Sequence, residues 1–494
     1  MDSRKTFPNE ILQQIVAELE VWDLFHVLRV NRSCHALARQ HPAWCQNLVL
    51  RSTEIWDLNF FHGQWIACME RRRPTDLEIH TLGDNAAIQE KIFVKVMAIL
   101  PFAKKISLSC CVADPQALWQ RFAAIPAPQL ESLDIQMLNE KYEDEPLVLP
   151  AHPFDDQAPL LKYINAKIDY RSAPVTPFLN VESVCWKLCE RQKPGFILQG
   201  SNIAAIYPKL RKLVFHGGNF SDLPPNLFDG AVGLWQLEDV EIWGVYQSVM
   251  LHNVLSKTVT SSTRRISIDG LFSWGDPTGV GLVSSWLPLG EPLKFKVLKR
   301  SEVNEPFTLS LSTVHMNLNR TIELRAVPRV PLKGAVRGGV HCMFTESFAS
   351  HLANITQLEF DLRFWNQIVK ADVPFSAVRT LVIHVADKPQ WTMLYMPPDL
   401  EKPHYSGLFP LNQSIHTPTI TCLKIIGTGG WHVPVEDTWI IRFVKVSMSG
   451  FDTTTSSIIL RSMQLMTDDG TVDRFSGWPQ LIIDDCKVIQ FRHS

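Results

Sequence analysis

The chain has 494 residues, 46% hydrophobic and 20% charged, with 15 Trp and 26 Phe, which excludes a disordered or low-complexity protein. The length exceeds what one hydrophobic core usually fills, so the chain either divides into domains or grows lengthwise as a repeat array. A formal net charge of -2 offers no field to hold it on nucleic acid or an anionic membrane, and partners must be recognised locally.

Met1-Asp2-Ser3-Arg4-Lys5 leads straight into an amphipathic segment with no apolar leader core, which predicts a cytoplasmic or nuclear protein. The apolar stretch from Ile92 to Phe102 is broken by Lys95 and is too short to span a bilayer, so no membrane association is expected. The ten cysteines are scattered. Cys110-Cys111 and Cys185/Cys189 lack a second Cys or His pair at zinc spacing, so neither a disulfide framework nor a metal or cofactor is expected.

Taken in chain order, the first element is a helix from Phe7 to Leu19, where Ile11, Leu12, Ile15, Val16 and Leu19 line one face. Pro8 and Glu10 suit its first turn. Asp23 to Val30 forms a second helix with Leu24, Val27, Leu28 and Val30 on its stripe, and Ser33 to Arg39 a third with Cys34, Leu37 and Ala38 inward. Pro42 stops it, and Trp44 follows as an aromatic anchor. Helices this short bury little surface alone, which predicts a module stabilised by docking; a helical cap on the following domain is the plainer alternative.

The residues Phe7-Pro8-Asn9-Glu10-Ile11-Leu12, Ile15, Asp23-Leu24, Val30-Asn31-Arg32, Cys34 and the closing Trp44 resemble the F-box pattern, over about a tenth of the chain. Phe7 replaces the usual Leu, and Asn31 stands where many members carry Cys. The resemblance implies docking on a Skp-type adaptor and, through it, a cullin. It places Pro8, Ile11, Leu12, Ile15, Leu24, Val30 and Cys34 in the adaptor interface or in its support.

Beyond the helices one phrase recurs: apolar, two residues, Leu or a β-branched residue, one residue, apolar. It appears at Leu130-x-x-Leu133-x-Ile135, Leu210-x-x-Leu213-x-Phe215, Leu237-x-x-Val240-x-Ile242, Ile355-x-x-Leu358-x-Phe360, Val378-x-x-Leu381-x-Ile383, Ile420-x-x-Leu423-x-Ile425 and Ile441-x-x-Val444-x-Val446. Weaker copies centre on Leu77, Ile106, Val184, Ile266 and Ile322. The one-residue gap puts the last two apolar side chains on one face of a strand, at a spacing typical of leucine-rich repeats. Glu90 to Leu100, Ala117 to Ala124 and Val245 to Leu255 read as covering helices. Glu143 to Pro159, Gly270 to Pro292, Val327 to Gly339 and Asp387 to Gln413 read as long loops. The array resembles the irregular leucine-rich repeats of F-box proteins abundant in fungi.

The expected fold is therefore α/β: a three-helix F-box at 1–50, then a curved leucine-rich-repeat-like solenoid at 51–494 with a parallel sheet on its concave face, and a possible insertion near 290–345. The outward positions of the strands include Asp76/Glu78, Asp239/Glu241/Trp243, Glu323/Arg325 and Glu359/Asp361. Asp239, Glu241, Trp243, Glu359 and Asp361 are the candidate target-binding residues, suited to a basic partner, with an ordinary solvated sheet face as the alternative. No catalytic motif is present: Gly427-Thr428-Gly429-Gly430 lacks the Lys-Ser/Thr ending of a phosphate loop and reads as a turn. The expected function is a non-catalytic substrate-recognition subunit of a ubiquitin ligase, with an unknown target protein destined for degradation. A scaffold acting without ubiquitination and an enzyme with a cryptic C-terminal site are the alternatives.

Overall fold

The structure is a computed structural model. It describes residues 8–73, 75–80, 86–110, 115–137, 147–148, 152–166, 168–169, 178–187, 206–216, 235–243, 254–269, 286–287, 290–299, 307–314, 320–326, 349–362, 365–370, 376–386, 414–428, 434–468 and 470–490. The chain forms two compact units, one of Met1–Val240 with Lys257–Ser262, the other of Glu241–Ser256 with Thr263–Ser494. Each is mixed α/β and built on a sheet that is mainly parallel. Of the long loops expected from composition, Val327 to Gly339, Asp387 to Gln413 and most of Gly270 to Pro292 lie outside the described residues, as do parts of Glu143 to Pro159 and most of the helix expected from Val245 to Leu255.

The first unit opens with four short helices, α1 (Asn9–Ala17), α2 (Val21–Val27), α3 (Arg32–Gln40) and α4 (Pro42–Gln46). Pro42 both ends α3 and sits in the first turn of α4, where its missing N–H costs nothing. Strand β1 (Asn47–Leu50) follows at the next residue. Then come α5 (Ile55–Arg71), β2 (Thr75–His80), α6 (Ala86–Ile99), β3 (Ala103–Cys110), α7 (Pro115–Ala123) and β4 (Ser132–Met137). The strands β5 (Tyr163–Ala166), β6 (Ser183–Lys187) and β7 (Lys212–His216) complete the series, and β8 (Asp239–Trp243) contains the point where the chain passes from the first unit to the second.

Strands β1 to β7 pair in chain order and all in parallel, which brings the recurring phrase into register: Leu48, Leu77, Ile106, Leu133, Ile164, Val184 and Leu213 stand side by side. All are buried. A buried row of this kind is what a parallel sheet covered on that face requires. The copies at Leu48 and Ile164 have the same spacing but are less conspicuous, since Cys45 opens the first and the small Ala166 closes the second.

A tight turn precedes each of the strands β4 to β7: the amides of Leu130, Leu161, Val181 and Leu210 donate to the carbonyls three residues before them. Those four residues are themselves buried. The next residue in each turn bonds its counterpart in the preceding repeat. Glu131 N–H donates to Lys104, Lys162 to Glu131, Glu182 to Lys162, Arg211 to Glu182 and Glu238 to Arg211, at 2.7–2.9 Å. The side chains along this line alternate in sign. Lys104 meets Glu131 at 3.6 Å and Arg211 meets Glu238 at 3.4 Å. Such exposed pairs stabilise little individually, but a slip in register would also turn each strand's apolar set to the other face.

Strand β1 pairs only with β2 among the described strands of this unit, so one of its backbone edges needs another partner. Gln64 of α5 supplies it: the fully buried amide accepts from Val49 N–H at 3.2 Å and donates to the Asn47 carbonyl at 2.7 Å. Phe60 and Phe61 bury beside it on the same helix.

In the second unit the strands of the main sheet are β9 (Arg265–Asp269), β10 (Leu293–Lys299), β11 (Phe307–Thr313), β12 (Thr321–Ala326), β13 (Ile355–Asp361), β14 (Thr380–Ala386), β15 (Cys422–Thr428), β16 (Ser457–Arg461) and β17 (Leu481–Asp484). Helices α8 (Ala349–Leu352), α9 (Trp365–Lys370) and α10 (Asp437–Ser447) lie between them in sequence. Their lateral order is β9-β12-β11-β10-β13-β14-β15-β16-β17, parallel throughout except for β11, which runs antiparallel to both neighbours. The loss of pattern after residue 290 has this cause: a hairpin interrupts the one-way series.

Two expectations from sequence are corrected. Ile441-x-x-Val444-x-Val446 is not a strand but part of α10, where Ile440, Phe443, Val444 and Ser447 are buried at helical spacing while Val446 is exposed. Gly427-Thr428 is not a turn but the end of β15, where a Cβ on Gly427 would run into the Ser462 carbonyl. Both errors arise from local strings whose meaning depends on what packs against them.

Replacing Gln64 by Leu keeps the volume but leaves the Val49 amide and Asn47 carbonyl without partners. The expected loss is about 1–3 kcal/mol, measured as a lower urea midpoint, with faster hydrogen exchange at Val49 than at Leu77.

Candidate functional site

The short N-terminal helices sort their apolar residues into two sets. Val16 of α1, Leu24 of α2 and Ala38 of α3 form a closed core, with Leu19, Val27, Leu28, Leu37 and Ala43 partly buried against it. Cys34 is also buried. Pro8, Ile11 and Ile15 point the other way: they follow one another at three- and four-residue spacing on α1, with Ile11 42% and Ile15 48% exposed. Leu12 is half-buried between the two sets. Val30, just beyond α2, is 67% exposed, and the guanidinium of its neighbour Arg29 lies 5.2 Å over the exposed Trp56 ring at the start of α5.

Polar contacts hold this unit in shape. Asn31 lies in extended backbone before α3 and its Oδ1 accepts the Cys34 amide at 2.8 Å, a side-chain N-cap. His41 caps α4 through Nδ1, which accepts the Ala43 amide at 3.1 Å, while Nε2 reaches the Ala17 carbonyl at the end of α1 at 3.3 Å. Trp44 is buried edge-on against Phe60 of α5, and Phe60 stands edge-on to Phe25 of α2, both at 5.0 Å. The helical unit and α5 share this aromatic seam.

The outward face of the strands is where the acidic candidates lie. Most are already paired: Asp76 with Lys105 at 3.6 Å, Glu78 with His80, Asp239 with Lys212 at 3.4 Å and Glu323 with Arg265 at 2.8 Å. Glu241 and Trp243 are half-buried. Glu359 and Asp361, expected as open acids, are buried. The correction has a simple cause. Lys294 and Lys296 on β10 place their ammonium groups 2.7 and 2.9 Å from the two oxygens of Glu359, and His384 Nε2 on β14 lies at 3.0 Å.

Burial alone would raise the Glu359 pKa, but hydrogen bonds from His384, Lys294 and Lys296 outweigh it and hold the carboxyl well below the ordinary glutamate value of 4.5. Sequence reasoning missed Lys294, Lys296 and His384. The alternation Leu293-Lys294-Phe295-Lys296-Val297 marks both lysines as outward-facing, but not that Glu359 is the next strand's residue.

Among the described residues no group of three or more His, Cys, Asp or Glu is placed to hold a metal ion, and no helix is long and apolar enough to cross a membrane.

Compared with known protein families, residues 6–46 match the F-box domain. The chain carries an F-box. No curated protein matches it. The matched span covers α1 to α4, so the F-box ends where β1 begins. Within it, Leu24 and Cys34 are core residues, whereas Pro8, Ile11, Ile15 and Val30 are on the surface. Asn31, the position where many F-boxes have Cys, serves here as the α3 cap.

Two outcomes follow from these contacts. Asn31→Ala removes the cap and should cost about 1 kcal/mol, seen as faster exchange of the α3 amides without change in the sheet. Lys294→Met with Lys296→Met should destabilise the second unit by about 1–3 kcal/mol at neutral pH. Because the folded Glu359 pKa is depressed, its contribution is complete above about 4.5 and fades as pH falls below that value. The gap between wild type and variant should therefore narrow from pH 5 to pH 3 in urea titrations.

Proposed function

We propose that the chain is the target-recognition subunit of a Skp/cullin/F-box-type ubiquitin ligase. The F-box docks on the Skp-type adaptor, which brings the cullin. Residues 51–494 act as an irregular leucine-rich-repeat-like array, with the parallel sheet on a concave face that holds a target protein for ubiquitination and degradation. The reading places the protein in the cytoplasm or nucleus, where this machinery works.

The observation that carries the reading is the exposed apolar line of Pro8, Ile11 and Ile15, with Val30, on a helical unit whose core closes without them. Adjacent exposed apolar side chains on so small a unit are characteristic of a docking surface. Leu24 and Cys34 support that surface from beneath, and Leu12 does some of both. The parallel order of β1 to β7, with one apolar row running through every strand, supports the array.

In this mechanism the chain supplies no catalytic group. It binds the adaptor at one end and the target at the other, and so raises the effective concentration of a target lysine near a charged conjugating enzyme.

The test is affinity purification of the intact chain beside Ile11→Asp with Ile15→Asp, both surface changes. The intact chain should recover adaptor and cullin, and the variant should lose both while keeping its other partners and its circular dichroism. If the intact chain recovers no such adaptor, the proposal fails. Adaptor capture without turnover of any co-purified protein would instead indicate a scaffold.

A further inference from the structure

The pairing of Glu359 reverses the charge expected of the sheet face in the second unit. Across the strands, one outward row reads Ser267, Glu323, Ser310, Lys296, Glu359, Val382, Lys424, Ile459 and Ile482. Glu323 is neutralised by Arg265. Glu359 is shared by two ammonium groups and is itself only 9% exposed, whereas Lys294 and Lys296 are each 37% exposed. At this cluster two ammonium groups share one carboxylate, and it is the ammonium groups, not Glu359, that reach the surface. Asp361, the other acid nearby, is buried.

Two strands beyond Glu359 in the same row, Lys424 is half-buried beside Val382 and forms no ion pair among the described residues. Lys296 and Lys424 are three strand spacings apart, or about 14 Å. Glu359 and Val382, both buried, lie between them as the floor of the row, and Ile459 with the exposed Ile482 continues it past Lys424.

We propose that this face takes an acidic, extended segment of a partner protein, with two carboxylate side chains four residues apart and an apolar residue midway. In an extended chain four residues span about 14 Å and positions i, i+2 and i+4 share a face. The two acids then meet Lys296 and Lys424 while the middle side chain lies over the buried floor formed by Val382 and the alkyl stem of Glu359. An apolar residue two further on meets Ile459 and Ile482. The partner chemistry is thus opposite to the basic one that the acidic sequence pattern implied, because charge complementarity follows the exposed ammonium groups rather than the buried carboxylates. The inference rests on the reading of the sheet as the target-holding part of the chain.

The probe is a fluorescent peptide containing Glu-Ser-Ile-Ser-Glu-Ser-Leu, titrated into the purified full chain and compared with the same peptide bearing Lys for Glu. The acidic peptide should bind more tightly than the basic one, and more weakly as salt is raised. Lys424→Glu should weaken it roughly tenfold, about 1.4 kcal/mol, and Lys424→Ala by less. Lys424 forms no ion pair among the described residues, so these variants should keep wild-type circular dichroism and melting. Equal binding of the two peptides, tighter binding of the basic one, or unchanged affinity in Lys424→Glu would overturn the proposal. So would equally tight binding of a twelve-residue thymidine oligonucleotide, which would mark a general anion surface. Adaptor capture by the same proteins, read in parallel, bears on the F-box reading and not on this one.

Discussion

Parallel strands can bond to one another only if each begins at the same level as its neighbour. In the first unit that level is set by the line of backbone bonds from Lys104 through Glu131, Lys162, Glu182 and Arg211 to Glu238. The turns just before the strands direct these amides toward the preceding repeat, and the buried residue in each turn holds it down. Once the starts are level, the apolar side chains one and three positions into the strands fall into rows without further instruction. Alternation of charge along the same line makes the correct register the one in which unlike charges meet. Without this line, the connecting segments of differing length would have nothing to align them.

The same economy of position divides the F-box and the sheet faces. In a helix of nine residues Val16 and Ile15 are neighbours in sequence, yet one closes the core and the other lies on the surface. On the strands, Phe295 and Val297 are buried while Lys294 and Lys296 reach across to Glu359. In both places successive residues serve different surfaces.

This explains which parts of the fold were legible in the sequence. A period of two with a one-residue gap is a local property, and the phrases at Leu133, Leu213, Leu358, Leu381 and Leu423 all lie in strands. The string at Ile441 satisfies the same phrase but also a helical spacing through Ile440, Phe443, Val444 and Ser447, and only the neighbours decide between them. Helix α5 was not foreseen because aromatic and apolar residues occur around most of it, including the exposed Ile55, Trp56 and Ile66, and no clean stripe stands out. The acidic candidates were correctly assigned to strands, but what neutralises Glu359 lies 63 and 65 residues earlier, on Lys296 and Lys294. Which strand lies next to which is not a local property, and β11 reverses the simple order in that region.

One junction has a mechanical meaning. Helix α4 ends at Gln46 and β1 begins at Asn47, with Trp44 wedged against Phe60 and Gln64 bonded to both ends of the same short strand segment. There is no tether here to act as a swivel. A load applied to the surface of α1 passes through packed side chains into the sheet, so the helical end behaves as the fixed handle of a lever and not as the end of a leash. Within the first unit, the direction in which the surface of α1 faces is therefore set by the strand that α4 leads into.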